Sequence, residues 1–138
     1  MGKAPGGSKV SNLRKYRKKA TSFVVAVQLD LETEGFTYEK WGATQTCKRG
    51  DWVVNNNGDI YTVDGDSFKQ TYRCVGPGIY VKTTPVWAEI AAQAGHMRTK
   101  EGITHYKAGT YIVYNDPEGK DGYAVEADSF EEMYEPAR

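Results

Sequence analysis

Long hydrophobic runs are missing from this 138-residue chain. The longest, Phe23 to Val27, spans five residues, far short of the roughly 20 that a membrane-crossing helix requires. No membrane span is expected. The first residues also lack the apolar segment of a secretory leader. Cysteine and histidine are scarce, two of each. Cys47 and Cys74 form no C-x-x-C pair and are too few for a disulfide framework, so free thiols in a reducing, intracellular compartment are expected. The basic N-terminus keeps an organellar address open. His96 and His105 have no companions at metal-ligand spacing, so neither a metal nor a cofactor is expected. Phosphate-binding loops, nucleophile elbows, zinc-protease motifs and dinucleotide fingerprints are all absent. No catalytic residue is assigned, and the chain is not expected to be an enzyme.

Aromatic residues, by contrast, are plentiful: ten Tyr, four Phe and three Trp. Where aliphatic residues are few, aromatics and β-branched side chains cover the half-buried faces of small twisted sheets. Charge is unevenly spread. Residues 1–29 hold seven cations (Lys3, Lys9, Arg14, Lys15, Arg17, Lys18 and Lys19) and no acid, while all eighteen acids lie beyond them. A basic N-terminal arm, residues 1–19, on an acidic body is therefore expected. Its Gly-, Ser- and Lys-rich composition predicts disorder when it stands alone.

Two blocks repeat in order: "KRGDWVVNNNGDIYTVDGDSFKQTY" (48–72) and "KAGTYIVYNDPEGKDGYAVEADSFEEMY" (107–134). Each reads as a β-hairpin, with "NNNG" or the longer "NDPEGKDG" as its turn, followed by Asp-Ser-Phe. Asp66 and Asp128 suit helix N-caps, since a carboxylate there accepts free amide hydrogens of the first turn. Phe68 and Tyr72, like Phe130 and Tyr134, are four apart and share one helical face. Each pair is expected to lie back on its hairpin and close a small core. Gly50, Trp52, Tyr61, Gly109, Tyr111 and Tyr123 complete the repeated set as turn and core residues. Asp64 and Glu126 read as solvated strand ends, and Asp116, Glu118 and Asp121 as an acidic turn.

Upstream, "SFVVAVQLDL" alternates as a half-buried strand. "PVWAEIAAQAG" is open to two readings, a helix from Pro85 or a strand by analogy with the first copy; the strand is preferred. "HMRTKEGITHYKAG" adds a short pair around Glu101-Gly102, and the Gly-Pro-Gly of "RCVGPGIY" punctuates the two units. The expected fold is α+β and mostly β. It has two tandem small β-hairpin or sheet units (20–75 and 76–138), each closed by a short C-terminal helix, behind the extended arm.

Several of these stretches, "YRKKATSFVVAVQ", "RGDWVV", "GDIYTVDGDSFKQTY" and "GYAVEADSFEEMYEP", resemble a small domain of bacterial and bacteriophage proteins. Its pattern runs Y-R-K-K-P, A-V-Q, P-G-D-[YW]-[IV]-V and Y-x-V-x-x-D-x-F-x-x-T-Y-E-P, loosely the P-G-D-Y-G type. The resemblance implies a tandem pair of such domains after the arm and no particular activity. Ala20 and Arg49 stand where the pattern has Pro, and Thr110 stands where it has Asp.

On function, the expectation is a non-catalytic structural or accessory subunit of a larger assembly, docking on partner proteins through the basic arm and β surfaces. One alternative is nucleic-acid binding through the arm, which an acidic body opposes. The other is a small-ligand binder or enzyme using the cleft between the two repeats.

Overall fold

The computed structural model describes residues 12–137. It is mostly β, with two seven-residue helices. In chain order the elements are β1 (Arg14–Lys18), β2 (Val24–Gln28), β3 (Phe36–Lys40), β4 (Ala43–Cys47), β5 (Trp52–Asn56), β6 (Asp59–Val63), α1 (Gly65–Thr71) and β7 (Tyr72–Gly76). Then come β8 (Ile79–Lys82), β9 (Val86–Ile90), β10 (Gly95–Arg98), β11 (Ile103–Tyr106), β12 (Tyr111–Tyr114), β13 (Gly122–Val125), α2 (Ala127–Met133) and β14 (Tyr134–Pro136). The Val86–Ile90 segment is a strand, the preferred of its two readings. No helix among the described residues is long and apolar enough to cross a membrane.

Local chemistry accounts for the hairpins. β5 and β6 are joined by Asn57 and Gly58 alone, with φ of 54° and 96°, the left-handed pair that matches strand twist in a two-residue turn. Both expected hairpins, β5–β6 and β12–β13, form. A third, β3–β4, was not expected from the sequence. Its turn places Trp41 at φ 56°, an uncommon conformation for a bulky residue. The Trp41 carbonyl is held there by the His105 N–H at 2.9 Å.

The strands assemble into two five-stranded sheets, ordered β6-β5-β2-β8-β7 and β13-β12-β9-β1-β14, plus the separate hairpins β3–β4 and β10–β11. The two orders share one plan, with each sheet taking one strand from the other half of the chain. β8 enters the first sheet between β2 and β7. β1 enters the second between β9 and β14. The sheets thus cut across the expected spans of 1–19, 20–75 and 76–138.

The expected free arm is corrected here. Arg14, Lys15, Arg17 and Lys18 lie in β1, in the interior of a sheet. Lys19 continues from it, its N–H bonded to the Met133 carbonyl at 2.7 Å. Lys3 and Lys9 lie outside the described residues. The physical reason is pairing: β1 satisfies backbone groups of both β9 and β14, which would otherwise stand as open edges. Alternation turns Tyr16 and Lys18 inward and leaves Lys15 and Arg17 exposed, so of the strand's cations Lys18 bears the cost of burial.

Each sheet packs a helix through one aromatic quartet. In the first, Phe68 stacks on Trp52 (4.2 Å between centroids) and Tyr72 (4.5 Å), with Tyr80 edge-on at 5.1 Å. In the second, Phe130 stacks on Tyr111 (4.0 Å) and Tyr134 (4.6 Å), with Tyr16 edge-on at 4.9 Å. Phe68 and Phe130 are almost fully buried, as the repeat predicted. The edge-on tyrosine in each quartet comes from the exchanged strand.

The expected caps are also corrected. Asp64, not Asp66, caps α1 by accepting from the N–H groups of Asp66 and Ser67 at 3.1 and 3.2 Å. Glu126 precedes α2 and makes no side-chain cap bond. Both helices begin earlier than the Asp-Ser-Phe motif suggested, so Asp66 and Asp128 fall in the first turn. There they complement the helix dipole rather than cap the helix.

Candidate functional site

The exchanged strands end in lysines at matching stations. In β1, Tyr16 and Lys18 are two apart and share a face. In β8, Tyr80 and Lys82 do the same. Lys18 pairs in register with Tyr134, and Lys82 with Tyr72. The Lys18 Nζ lies 5.2 Å from the centre of the Tyr134 ring, and the Lys82 Nζ 5.6 Å from that of Tyr72. Strand exchange therefore brings both ammonium groups to the space between the halves.

That space is a cleft of about 1000 Å³. Lys18, Lys82, Tyr61, Tyr72, Tyr123 and Tyr134 line it, together with residues of α1, α2 and the β12–β13 turn. Lys82 is nine-tenths buried and donates to the Tyr123 hydroxyl at 2.8 Å. Its Nζ also lies 5.1 Å from the Tyr123 ring centre. Across the cleft, Asn56 Nδ2 donates to the Tyr61 hydroxyl at 3.2 Å and contacts Met133 Sδ at 3.1 Å.

Electrostatics set this cleft apart from the rest of the surface. Burial, reinforced by repulsion from Lys18, pulls the Lys82 ammonium down to a pKa of about 7, against a weaker opposing pull from Asp121. Burial alone pulls Lys18 down to about 8. Burial also raises the tyrosine hydroxyls, Tyr61 to about 12, and Tyr72, Tyr123 and Tyr134 well above their ordinary range. A low-dielectric site disfavours every charged form in this way. Among the described residues, neither Lys18 nor Lys82 has a carboxylate within 4.0 Å.

The nearby acids are committed elsewhere. Asp121 accepts from Ser67 at 2.8 Å and Asn115 at 3.0 Å, and it lies 3.8 Å from Lys100. Glu101 accepts the Asp64 N–H at 2.6 Å, and burial raises its pKa. Asp64 is burdened by burial, yet bonds from Lys48 and the Ser67 N–H hold its carboxyl below the usual range. Lys48 bridges Asp51 and Asp64 at 3.0 and 2.9 Å. Asp51, buried, also accepts the N–H groups of Lys48 and Gly65. Its work is to pin a turn, so Thr110 at the matching position removes an anchor rather than a reactive group.

The second half reaches this network through Gly102, which bridges Gln45. A Cβ on Gly102 would stand 2.4 Å from the Thr44 carbonyl oxygen, so only glycine admits the approach.

Of the remaining sequence candidates His105 also lines the cleft; the others that are described fall outside it or serve the core. Gly50 and Gly109 form turns with φ of 97° and 90°. Trp52, Phe68, Tyr111 and Phe130 are core. Arg17 pairs with Glu135 on the exposed surface at 2.7 Å, and Lys19 Nζ donates to the Glu131 carbonyl. Cys47 is buried and Cys74 exposed, both as free thiols. His96 and His105 face each other across β10–β11, 5.6 Å between ring centres. No group of three His, Cys, Asp or Glu side chains among the described residues is placed to hold a metal.

Lys82 was missed from the sequence, although a signal was present: Tyr16-x-Lys18 and Tyr80-x-Lys82 share a spacing just ahead of the two strands already matched. No protein-family model, curated protein or solved structure matches the chain.

Proposed function

We propose that this protein binds a small organic molecule in the cleft between its two sheets. The observation that carries the reading is the Lys82 ammonium. It is nine-tenths buried and, among the described residues, without a carboxylate partner, at the wall of a tyrosine-lined cleft. An unpaired buried cation is costly, and such groups concentrate where ligands bind. The ring faces and hydroxyls of Tyr61, Tyr72 and Tyr123 supply flat apolar area and oriented polar groups, the usual furnishing of a ligand site. The chain is read as two copies of one unit that exchange first strands, a plan consistent with the P-G-D-Y-G-type resemblance. The exchange gives the cleft its near-symmetric pair of lysines.

The test is native mass spectrometry of protein purified without denaturation, beside Lys82→Met and Tyr123→Phe. A small molecule retained by the parent chain and lost from both folded variants supports the reading. Retention unchanged in both variants overturns it.

A second reading, the protein-interaction subunit, keeps one observation in its favour. Phe23, Val25, Val27 and Ile60 are about half exposed, an apolar patch on the first sheet. Its arm component loses weight, because most of the arm cations belong to β1 or its continuation. The acidic body continues to oppose nucleic-acid binding.

A further inference from the structure

We infer that Lys18 and Lys82 form an anion subsite within the cleft, and that the ligand carries a phosphate or similar doubly charged group held between them. The inference rests on the cleft reading above and specifies its ligand.

Both lysines close the exchanged strands, both point over a tyrosine ring, and both line one cavity. Repulsion from Lys18 adds to burial in disfavouring the Lys82 ammonium. A single monoanion would relieve part of that repulsion, and a dianion would balance both charges. The groups facing Lys82 come from every side: Tyr72 on β7, Tyr123 on β13, Lys18 on β1 and Asp121 on the β12–β13 turn. Of these only Asp121 is acidic, and Ser67, Asn115 and Lys100 already occupy it. Glu126 and Glu132 also line the cleft but are exposed, and neither is paired with Lys82. Tyrosine hydroxyls beside the ammonium can donate to the remaining oxygens of a phosphate.

A proton should accompany the anion. Unoccupied, Lys82 sits near half-protonation around neutral pH, and a bound dianion favours the ammonium form. Binding at pH 8 should therefore take up protons.

The experiment titrates the full chain at pH 8 with inorganic phosphate, pyrophosphate and a nucleoside monophosphate, and separately with the uncharged nucleoside and phenol. Binding is followed by calorimetry in two buffers of different ionisation enthalpy and by the ¹³Cε resonances of the lysines. The expected result is saturable binding of the phosphates with proton uptake and a shifted Lys82 resonance. Lys82→Met and Lys18→Met should each weaken it by about tenfold or more, the value of a charge-assisted hydrogen bond. Lys120→Met, on the exposed turn, should change it less than about twofold. If Lys82→Met does not fold, Lys18→Met and the resonance shift in the parent protein decide. Binding of the uncharged probes with no response to any phosphate overturns the anion subsite and leaves the cleft reading standing. Phosphate binding that survives both lysine changes overturns it too. No binding of any probe, with no shift at Lys82, removes both.

Discussion

Tyr16 meets Phe130 edge-on, 4.9 Å between ring centres, although the two lie near opposite ends of the chain. Tyr80 meets Phe68 in the same way at 5.1 Å. Each phenylalanine core is thus completed by a ring from the other half, so the halves depend on each other for stability as well as for the cleft.

The first consequence concerns truncation. Deleting residues 1–19 removes β1 and opens the edges of β9 and β14, so the second sheet should lose cooperative unfolding by urea melt and hydrogen exchange. Tyr16→Ala alone should cost about 2–4 kcal/mol, the range for a part-buried aromatic in a core. A deletion that melts like the full chain would show that β1 contributes nothing to the fold.

Core and cap substitutions should separate cleanly. Phe68→Ala and Phe130→Ala should each cost about 3–5 kcal/mol in chemical denaturation. Asp64→Ala should cost about 1–2 kcal/mol because it removes the cap of α1. Asp66→Ala and Asp128→Ala should cost only about 0.3–0.5 kcal/mol, the dipole contribution of a first-turn acid. Equal losses at Asp64 and Asp66 would contradict the assignment of the cap.

Stability should rise with pH from neutral into the alkaline range. Lys82 and Lys18 fall from 10.5 when unfolded to about 7 and about 8 when folded. Between those values the unfolded chain holds protons that the native state has shed, so raising pH favours the native state. The raised tyrosines act oppositely: above their ordinary value of 10.0 the unfolded chain ionises first and stability falls. The melting temperature should therefore peak at about pH 9–10. Lys82→Met should flatten the rise between pH 7 and 9. An identical slope in that variant would place the pH dependence elsewhere.

At the acid end, Asp64 contributes in the other direction. Its folded carboxyl sits below 3.8, so its contribution is complete above that value and is lost as pH falls through the lower folded one. Lys48→Met should remove part of this acid-limb dependence in melts between pH 2 and 5. A variant with an unchanged acid limb would show that Lys48 does not hold Asp64.

Hairpins, aromatic cores and the strand at Val86 could be read from the chain because their signals are local. Asn57-Gly58 encodes a turn, alternation encodes a half-buried strand, and a spacing of four encodes a shared helical face. The caps were misread by two residues because several acids in a row offer equivalent local chemistry. Only the start of the helix after β6, set by the pairing of Val63 with Trp52, selects Asp64. The β3–β4 hairpin was missed because its turn is Trp41-Gly42, and tryptophan gives no turn signal. Its conformation is stabilised from outside, by His105.

By itself, then, the sequence determined a mostly β chain and its repeated hairpin-helix blocks, each with a phenylalanine marked for burial by a local signal. The tertiary structure alone decided that the basic stretch Arg14–Lys18 is a strand inside the second sheet. It also decided that β8 crosses to the first sheet and that Lys18 and Lys82 meet at one cleft. Strand propensity in a segment rich in Lys and Arg is weak, and its pairing partners lie some 70 to 120 residues away in sequence. Such a segment becomes a strand only when two sheet edges already wait for it. The burial that lowers both lysines exists only once the two halves have closed over them.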